Sequence, residues 1–183
     1  SAVTIADGTA VKTPGDIVFP YIQKNLDDII TVEDEELIVN FLDVVENHKM
    51  VVENSGLLTV AALKHLNCKD KRVVSILSGG NMDIITMSSV VQHGLIERGR
   101  VFTVSVQLPD RPGELVNVAN VIAQLKGNVI RLEHNQFVSI NRNAAVDLKI
   151  TLEAFGHEHK QQIVDALKEK GYDPKLENPT SLY

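Results

Sequence analysis

The sequence predicts an α/β chain in two parts. Residues 1–99 read as a partial α/β sheet domain and residues 100–183 as a βαββαβ ferredoxin-like domain. Three observations carry this. Before residue 100, short apolar β-branched runs alternate with helix-period segments. After it, "VFTVSVQL" (101–108) and "AVDLKITLEAF" (145–155) alternate apolar and polar residues with a period of two. Gly99, Gly113 and Gly171 fall where those patterns start and stop.

Composition narrows the function classes. The chain has 183 residues, 44% apolar and 23% charged, enough to bury a real core. A net charge of −6, aromatics at 4% and no tryptophan argue against a nucleic-acid partner. The single cysteine, Cys68, cannot form a disulfide within the chain and suits a cytoplasmic protein. No apolar run has the length of a membrane span, so no membrane partner is expected.

In the first part, "DIVFPYIQKNL" (16–26) reads as a short helix that Pro20 interrupts. "DIITV" (28–32) reads as a strand. "TVEDEELIVNFLDVVENH" (31–48) is an amphipathic helix capped by Thr31 or by its acidic cluster, with Leu37, Phe41, Val44 and Val45 on the buried stripe. "MVVENSG" (50–56) is a short extended or helical entry to a helix at 57–66. "RVVSIL" (72–77) reads as a strand buried on both faces, and a helix over 83–97 follows, stopped by Gly99.

In the second part, strand 101–108 leads through "DRPGEL" into a helix over 113–127. Asp110 is a candidate cap and Pro112 suits a first turn. Leu115, Val118, Ala119, Ile122 and Leu125 are expected to be buried. A strand at 128–137, a polar turn at 139–144, a strand at 145–155, a helix at 157–171 and an edge strand at 172–177 complete the order.

The segment "SILSGGNMD" (75–83) is the main functional candidate. Taken by themselves, Ser78, Gly79, Gly80 and Asn81 allow a phosphate cradle, another cofactor contact or a plain turn. The phosphate reading is the weakest, because no Lys-Ser/Thr continuation and no G-x-G-x-x-G spacing is present. Gly79 and Gly80 permit positive φ or close backbone approach, and Asn81 can brace the turn. Glu53 is a carboxylate after an apolar run, with a helix-start acid as its rival reading. Asp7 and Gly8 form a D-G turn. The six histidines have no metal-ligand spacing, and no metal is expected.

Residues 101–137, through "VSVQLPDRPGEL" and "KGNVIRLEHNQF", resemble the ACT family of small regulatory domains. The resemblance implies effector-binding roles for Asp110, Arg111, Gly113 and Asn128, with Asn128 facing the 110–113 turn. It implies a small-molecule effector, an amino acid such as isoleucine or valine or a nucleotide, bound where two domains pair in a homo-oligomer. "TIADGTAVKTPG" (4–15), "MVVENSG" (50–56) and "VVSILSGGNMD" (73–83) resemble, in order, the closing third of the catalytic domain of threonine ammonia-lyases, enzymes of pyridoxal-phosphate fold type II. That resemblance implies α,β-elimination of threonine to 2-oxobutanoate and ammonia. It assigns Ser78 to the pyridine nitrogen of the cofactor, with Gly79, Gly80, Asn81 and Glu53 nearby. The cofactor-bearing lysine and the glycine-rich phosphate loop of such enzymes have no counterpart here. The chain is therefore expected to be a C-terminal piece, holding no catalytic residue, not binding pyridoxal phosphate alone and inert by itself. Two other readings stand beside this one: a stand-alone effector-binding regulator, or a serine racemase or serine ammonia-lyase of the same fold.

Overall fold

The structure, a computed structural model, describes residues 3–135 and 146–177. The chain divides into two compact units, residues 1–94 and 95–183.

Among the described residues the first unit is built of helices and turns, with no strand. Helix α1 (Phe19–Asn25) carries Pro20 in its first turn, where the missing N–H costs nothing, so the proline starts the helix rather than interrupting it. Helix α2 (Asp34–Asp43) is capped by Glu33 in a reciprocal capping box with Glu36. A π-helical turn, Val44–His48, extends it until Lys49 takes the left-handed conformation at φ 57°. Leu37, Phe41 and Val44 are buried as expected. Leu42 joins them in place of Val45, and packs where Gly94 of α4 (Ile84–Glu97) lacks a side chain. A Cβ on Gly94 would lie 2.6 Å from Leu42 Cδ1, so the glycine lets the two helices approach. Helix α3 (Leu58–Ala61) is flanked by 3-10 turns at Asn54–Leu57 and Ala62–His65. Asp83 caps α4, accepting from the backbone of Ile85 (2.9 Å) and Thr86 (3.0 Å) and from the Thr86 hydroxyl.

The expected strands 28–32 and 72–77 do not form. A strand exists only through a hydrogen-bonded neighbour, and the described part of this unit supplies none. Segment 72–77 is held instead by Thr59, whose hydroxyl donates to Ile76 O (2.8 Å) and whose carbonyl accepts from the Ser75 hydroxyl (3.3 Å). Val74 (89% exposed) and Ile76 (71%) are left bare, the opposite of the two-sided burial expected.

One cluster ties α2 to the turn after α3. Glu36 accepts from Lys64 Nζ (2.9 Å), His65 Nε2 (2.9 Å) and the Glu33 backbone N–H (3.1 Å). His65, then Lys64, then that N–H hold its carboxyl down from 4.5 to about 2. A carboxyl lowered by folding stabilises the fold above its unfolded value and loses that effect as pH falls towards its folded one. The urea midpoint of the first unit is thus expected to fall between pH 4.5 and 2. Glu36→Gln should lower the midpoint at pH 6 and flatten the acid limb. A midpoint at pH 6 equal to wild type would show that the cluster contributes nothing.

The second unit has the βαββαβ order. Its strands are β1 (Val101–Leu108), β2 (Asn128–Asn135), β3 (Val146–Glu153) and β4 (Lys175–Glu177), and its helices α5 (Glu114–Gln124) and α6 (His157–Glu169). The sheet is antiparallel between neighbours, in the order β2-β3-β1-β4, so β3 lies between β1 and β2 in the split βαβ arrangement. Alternate residues Phe102, Val104, Val106 and Leu108 meet Leu148, Ile150 and Leu152, and pack with Val118 and Ile122 of α5 and Ile163 and Leu167 of α6. Ala119 is exposed and Val121 is buried in its place. The other face of β1 is not solvated as expected. Thr103 and Ser105 are buried, and their hydroxyls bond to Thr151 (2.9 Å) and Asp147 (2.6 Å). A bulge between Val129 and Arg131 shifts the register of β2. Gly99 and Gly171, at φ +63° and +87°, end α4 and α6 as expected. The polar turn expected at 139–144 lies outside the described residues. Among the described residues no helix is long and apolar enough to cross a membrane.

Candidate functional site

In the first unit the structure brings together the three segments singled out above. Asn54 donates from Nδ2 to Ile5 O (3.1 Å), and Ser55 Oγ would lie 2.9 Å from a Cβ on Gly8. The loop at 4–8 is anchored in turn to α2, with Thr4 Oγ1 and Ile5 N bonded to Asp34 (2.5 and 3.0 Å). On the other side, the Glu53 N–H donates to Gly79 O (3.2 Å). Gly79 takes φ +76°, and a Cβ there would lie 2.0 Å from Glu53 Oε1. The carbonyl of Ser78 presses on Gly56, where a Cβ would lie 1.7 Å from the oxygen.

The expected residues divide on this geometry. Ser78 is exposed, and among the described residues its hydroxyl has no hydrogen-bond partner. It does not cap α4, since Asp83 does. Gly79 needs its glycine twice over, for its φ and for Glu53. Gly80 does not: its φ is not positive, and a Cβ would meet only Val51 O at 3.5 Å. Asn81 is exposed and does not brace the turn, which closes through Met82 N to Gly80 O (2.9 Å). Glu53 starts a 3-10 turn but makes no side-chain cap; its carboxylate lies along Gly79. A carboxylate there opposes a phosphate in the same turn, which removes the cradle reading. Asn54 Oδ1 and Ser55 Oγ are buried without partners. Asp7 is exposed and bonds its neighbour Gly8 N (2.8 Å) in a 3-10 turn.

The second unit holds a separate cavity of about 300 Å³ at the end of β1. Asp110, Arg111, Gly113 and Glu114 line it together with Leu108, Val146 and His134. Helix α5 begins at Glu114, not 113, so Asp110 is too far upstream to cap it. Gly113 is the cap residue at φ +94°, and no side chain caps the helix. The first backbone N–H groups of α5 thus start beside the cavity wall. Asn128 does not face this turn. It pairs with Glu153 on β3, which pairs in turn with Val101 on the adjacent β1, whereas Leu108 and the turn are at the opposite end of β1. Among the described residues His134, expected to be an ordinary histidine, is a β2 residue that lines the cavity. Period two shows which face of β2 a residue takes, but which end of the sheet it reaches depends on the pairing with β3. Among the described residues no three His, Cys, Asp or Glu side chains converge as a metal site would require.

Comparison with known proteins bears on the family of the first unit. Residues 1–79 match the family described as "Pyridoxal-phosphate dependent enzyme". The chain is 37% identical over 172 residues to the L-threonine ammonia-lyase of Geobacter sulfurreducens, covering 93% of this chain and 43% of that protein. It is 33% identical over 174 residues to the L-threonine ammonia-lyase of Thermotoga maritima, covering 94% of this chain and 43% of that one. The biosynthetic L-threonine dehydratase IlvA of Pasteurella multocida is 29% identical over 172 residues, 92% of this chain and 32% of that protein. Residues 1–79 thus match the pyridoxal-phosphate-dependent enzymes, and nearly the whole chain is similar to threonine ammonia-lyases, the resemblance the sequence led us to expect. The chain spans less than half the length of these relatives.

Ser78, exposed on a turn packed against Glu53 and Gly56, has a hydroxyl that could meet the ring nitrogen of pyridoxal phosphate. No residue here is assigned to its phosphate.

Proposed function

We propose that the full-length protein containing this chain is a pyridoxal-phosphate-dependent threonine ammonia-lyase, and that residues 95–183 form its ACT-like effector-sensing domain. The packing of residues 4–8 and 78–79 against the 53–56 turn, with the Ser78 hydroxyl exposed, carries the first part. Pyridoxal phosphate, when bound, supplies an electron sink for the pair left at the amino acid's Cα. Ser78 would offer a neutral hydroxyl to the ring nitrogen, and so would leave that nitrogen without the full positive charge a carboxylate would impose. Incubating the full-length protein with L-threonine should release ammonia and 2-oxobutanoate in equal amounts. Pyruvate from L-serine alone would reassign the substrate, and no keto acid from either would overturn the reading.

The effector reading rests on the 110–114 cavity. Its lining carries acids (Asp110, Glu114) and nitrogen bases (Arg111, His134), beside the uncapped start of a helix. Both signs in one small space suit a zwitterion, so we favour an amino acid such as isoleucine or valine over a nucleotide. Asn128 could contribute only from a second copy, as pairing in a homo-oligomer would allow. Binding of the effector would act by favouring one of two states of the assembly. Gly113→Ala places a Cβ at φ +94°, a strain of about 1–2 kcal/mol. Calorimetry with isoleucine, valine, ADP and AMP is expected to show heat with an amino acid, and binding weakened roughly 5–30-fold in the variant. Heat with none of the four would overturn the effector reading.

A further inference from the structure

Gly56 lies in a segment that the cofactor reading touches only through Glu53. Its surroundings leave no space. A Cβ on it would lie 1.7 Å from the Ser78 carbonyl oxygen, 2.8 Å from the Ser78 carbonyl carbon and 2.8 Å from Val52 Cγ1. The first two contacts are backbone, which a rotamer change cannot relieve. Gly56 itself is buried and its N–H donates to Glu53 O (2.9 Å), so its own position is fixed by the 3-10 turn it belongs to.

The next peptide is gripped from the same segment. Glu53 N–H holds Gly79 O at 3.2 Å, and the Glu53 side chain lies along the Cα of Gly79. One short turn, 53–56, therefore seats two successive carbonyls, those of Ser78 and Gly79. The Ser78 carbonyl lies in the 78–79 peptide and the Gly79 carbonyl in the next one, so the two contacts fix both peptide planes around Gly79; the Ser78 Cα lies in the first plane, and only ψ of Ser78 is left to turn its Cα–Cβ bond.

We propose that Gly56 and Glu53 are positioning residues that together aim the Ser78 hydroxyl, Gly56 by leaving room for the Ser78 carbonyl and Glu53 by packing its side chain along Gly79. Glu53 then acts through the backbone of the turn rather than by touching the cofactor. The inference rests on the reading of Ser78 as the residue at the ring nitrogen. It adds a residue, Gly56, and changes the role of another.

The test uses the full-length protein with pyridoxal phosphate and four forms: wild type, Ser78→Ala, Gly56→Ala and Glu53→Ala. The readouts are the absorption and fluorescence spectra of the bound cofactor and its dissociation constant, with circular dichroism to confirm folding. Ser78→Ala should raise the dissociation constant about tenfold, the loss of one neutral hydrogen bond, and shift the spectrum. Gly56→Ala and Glu53→Ala should shift the spectrum in the same direction. Adding either to Ser78→Ala should change it no further, because both act through that hydroxyl. If Gly56→Ala does not fold, Glu53→Ala decides, since it removes only a half-buried side chain. A shift in Ser78→Ala with wild-type spectra in the folded positioning variants overturns the clamp and leaves the Ser78 reading intact. A wild-type spectrum and affinity in Ser78→Ala overturns that reading and the clamp with it.

Discussion

Phe41→Ala is expected to lower the unfolding free energy of the first unit by about 3–5 kcal/mol, the usual cost of emptying a buried phenylalanine site. Phe41 is 1% exposed and stands on the stripe of α2 with Leu37, which is equally buried. That helix contacts both the 54–57 turn and α3, so it is the platform under the segment that holds the Ser78 turn. The same helix anchors the 4–8 loop through Asp34. Neighbouring leucines cannot close the gap without pulling one of these segments from its place. Domain stabilities are only about 5–15 kcal/mol in total, so the variant should sit close to its unfolding threshold at 25 °C. Urea denaturation followed by far-ultraviolet circular dichroism reads this as a drop in midpoint at unchanged slope. A loss below about 1 kcal/mol would mean that α2 is not the platform described.

Ile150→Ala is expected to cost the second unit about 2–5 kcal/mol. Ile150 is 1% exposed in β3, with Val104 opposite it on β1 and Leu132 opposite it on β2. Every connection through the sheet from β2 to β1 passes by β3. The comparison is Val129→Ala on the edge strand: Val129 is 40% exposed and should cost well under half as much. Equal losses at the two positions would contradict the strand order.

How far the sequence alone reached differs between the two units. In the second unit each strand carries its own evidence, because alternation within eight residues already shows a face. The order β2-β3-β1-β4 then follows from the βαββαβ connectivity. What alternation could not show was the second burial of Thr103 and Ser105, which depends on hydroxyl partners on β3. Nor could it show that His134, rather than Asn128, shares an end of the sheet with Asp110. In the first unit "RVVSIL" has the composition of a strand, yet pairing is a property of two segments and only one is described here. The turn at 78–81 stood out as a candidate by its residues, but its construction was not legible. That Gly79 needs positive φ while Gly80 does not, and that Gly56 is shaped around a carbonyl, are facts of three-dimensional contact. Glycine is written the same way whichever of these reasons requires it.

The bare apolar row at 73–76 bears on how this chain tolerates change. Val74 and Ile76 bury almost nothing here, so a polar substitution at either removes little that this unit uses to stay folded. Leu37, Phe41 and Leu42, by contrast, are hidden, and a polar substitution at any of them removes what holds the unit together.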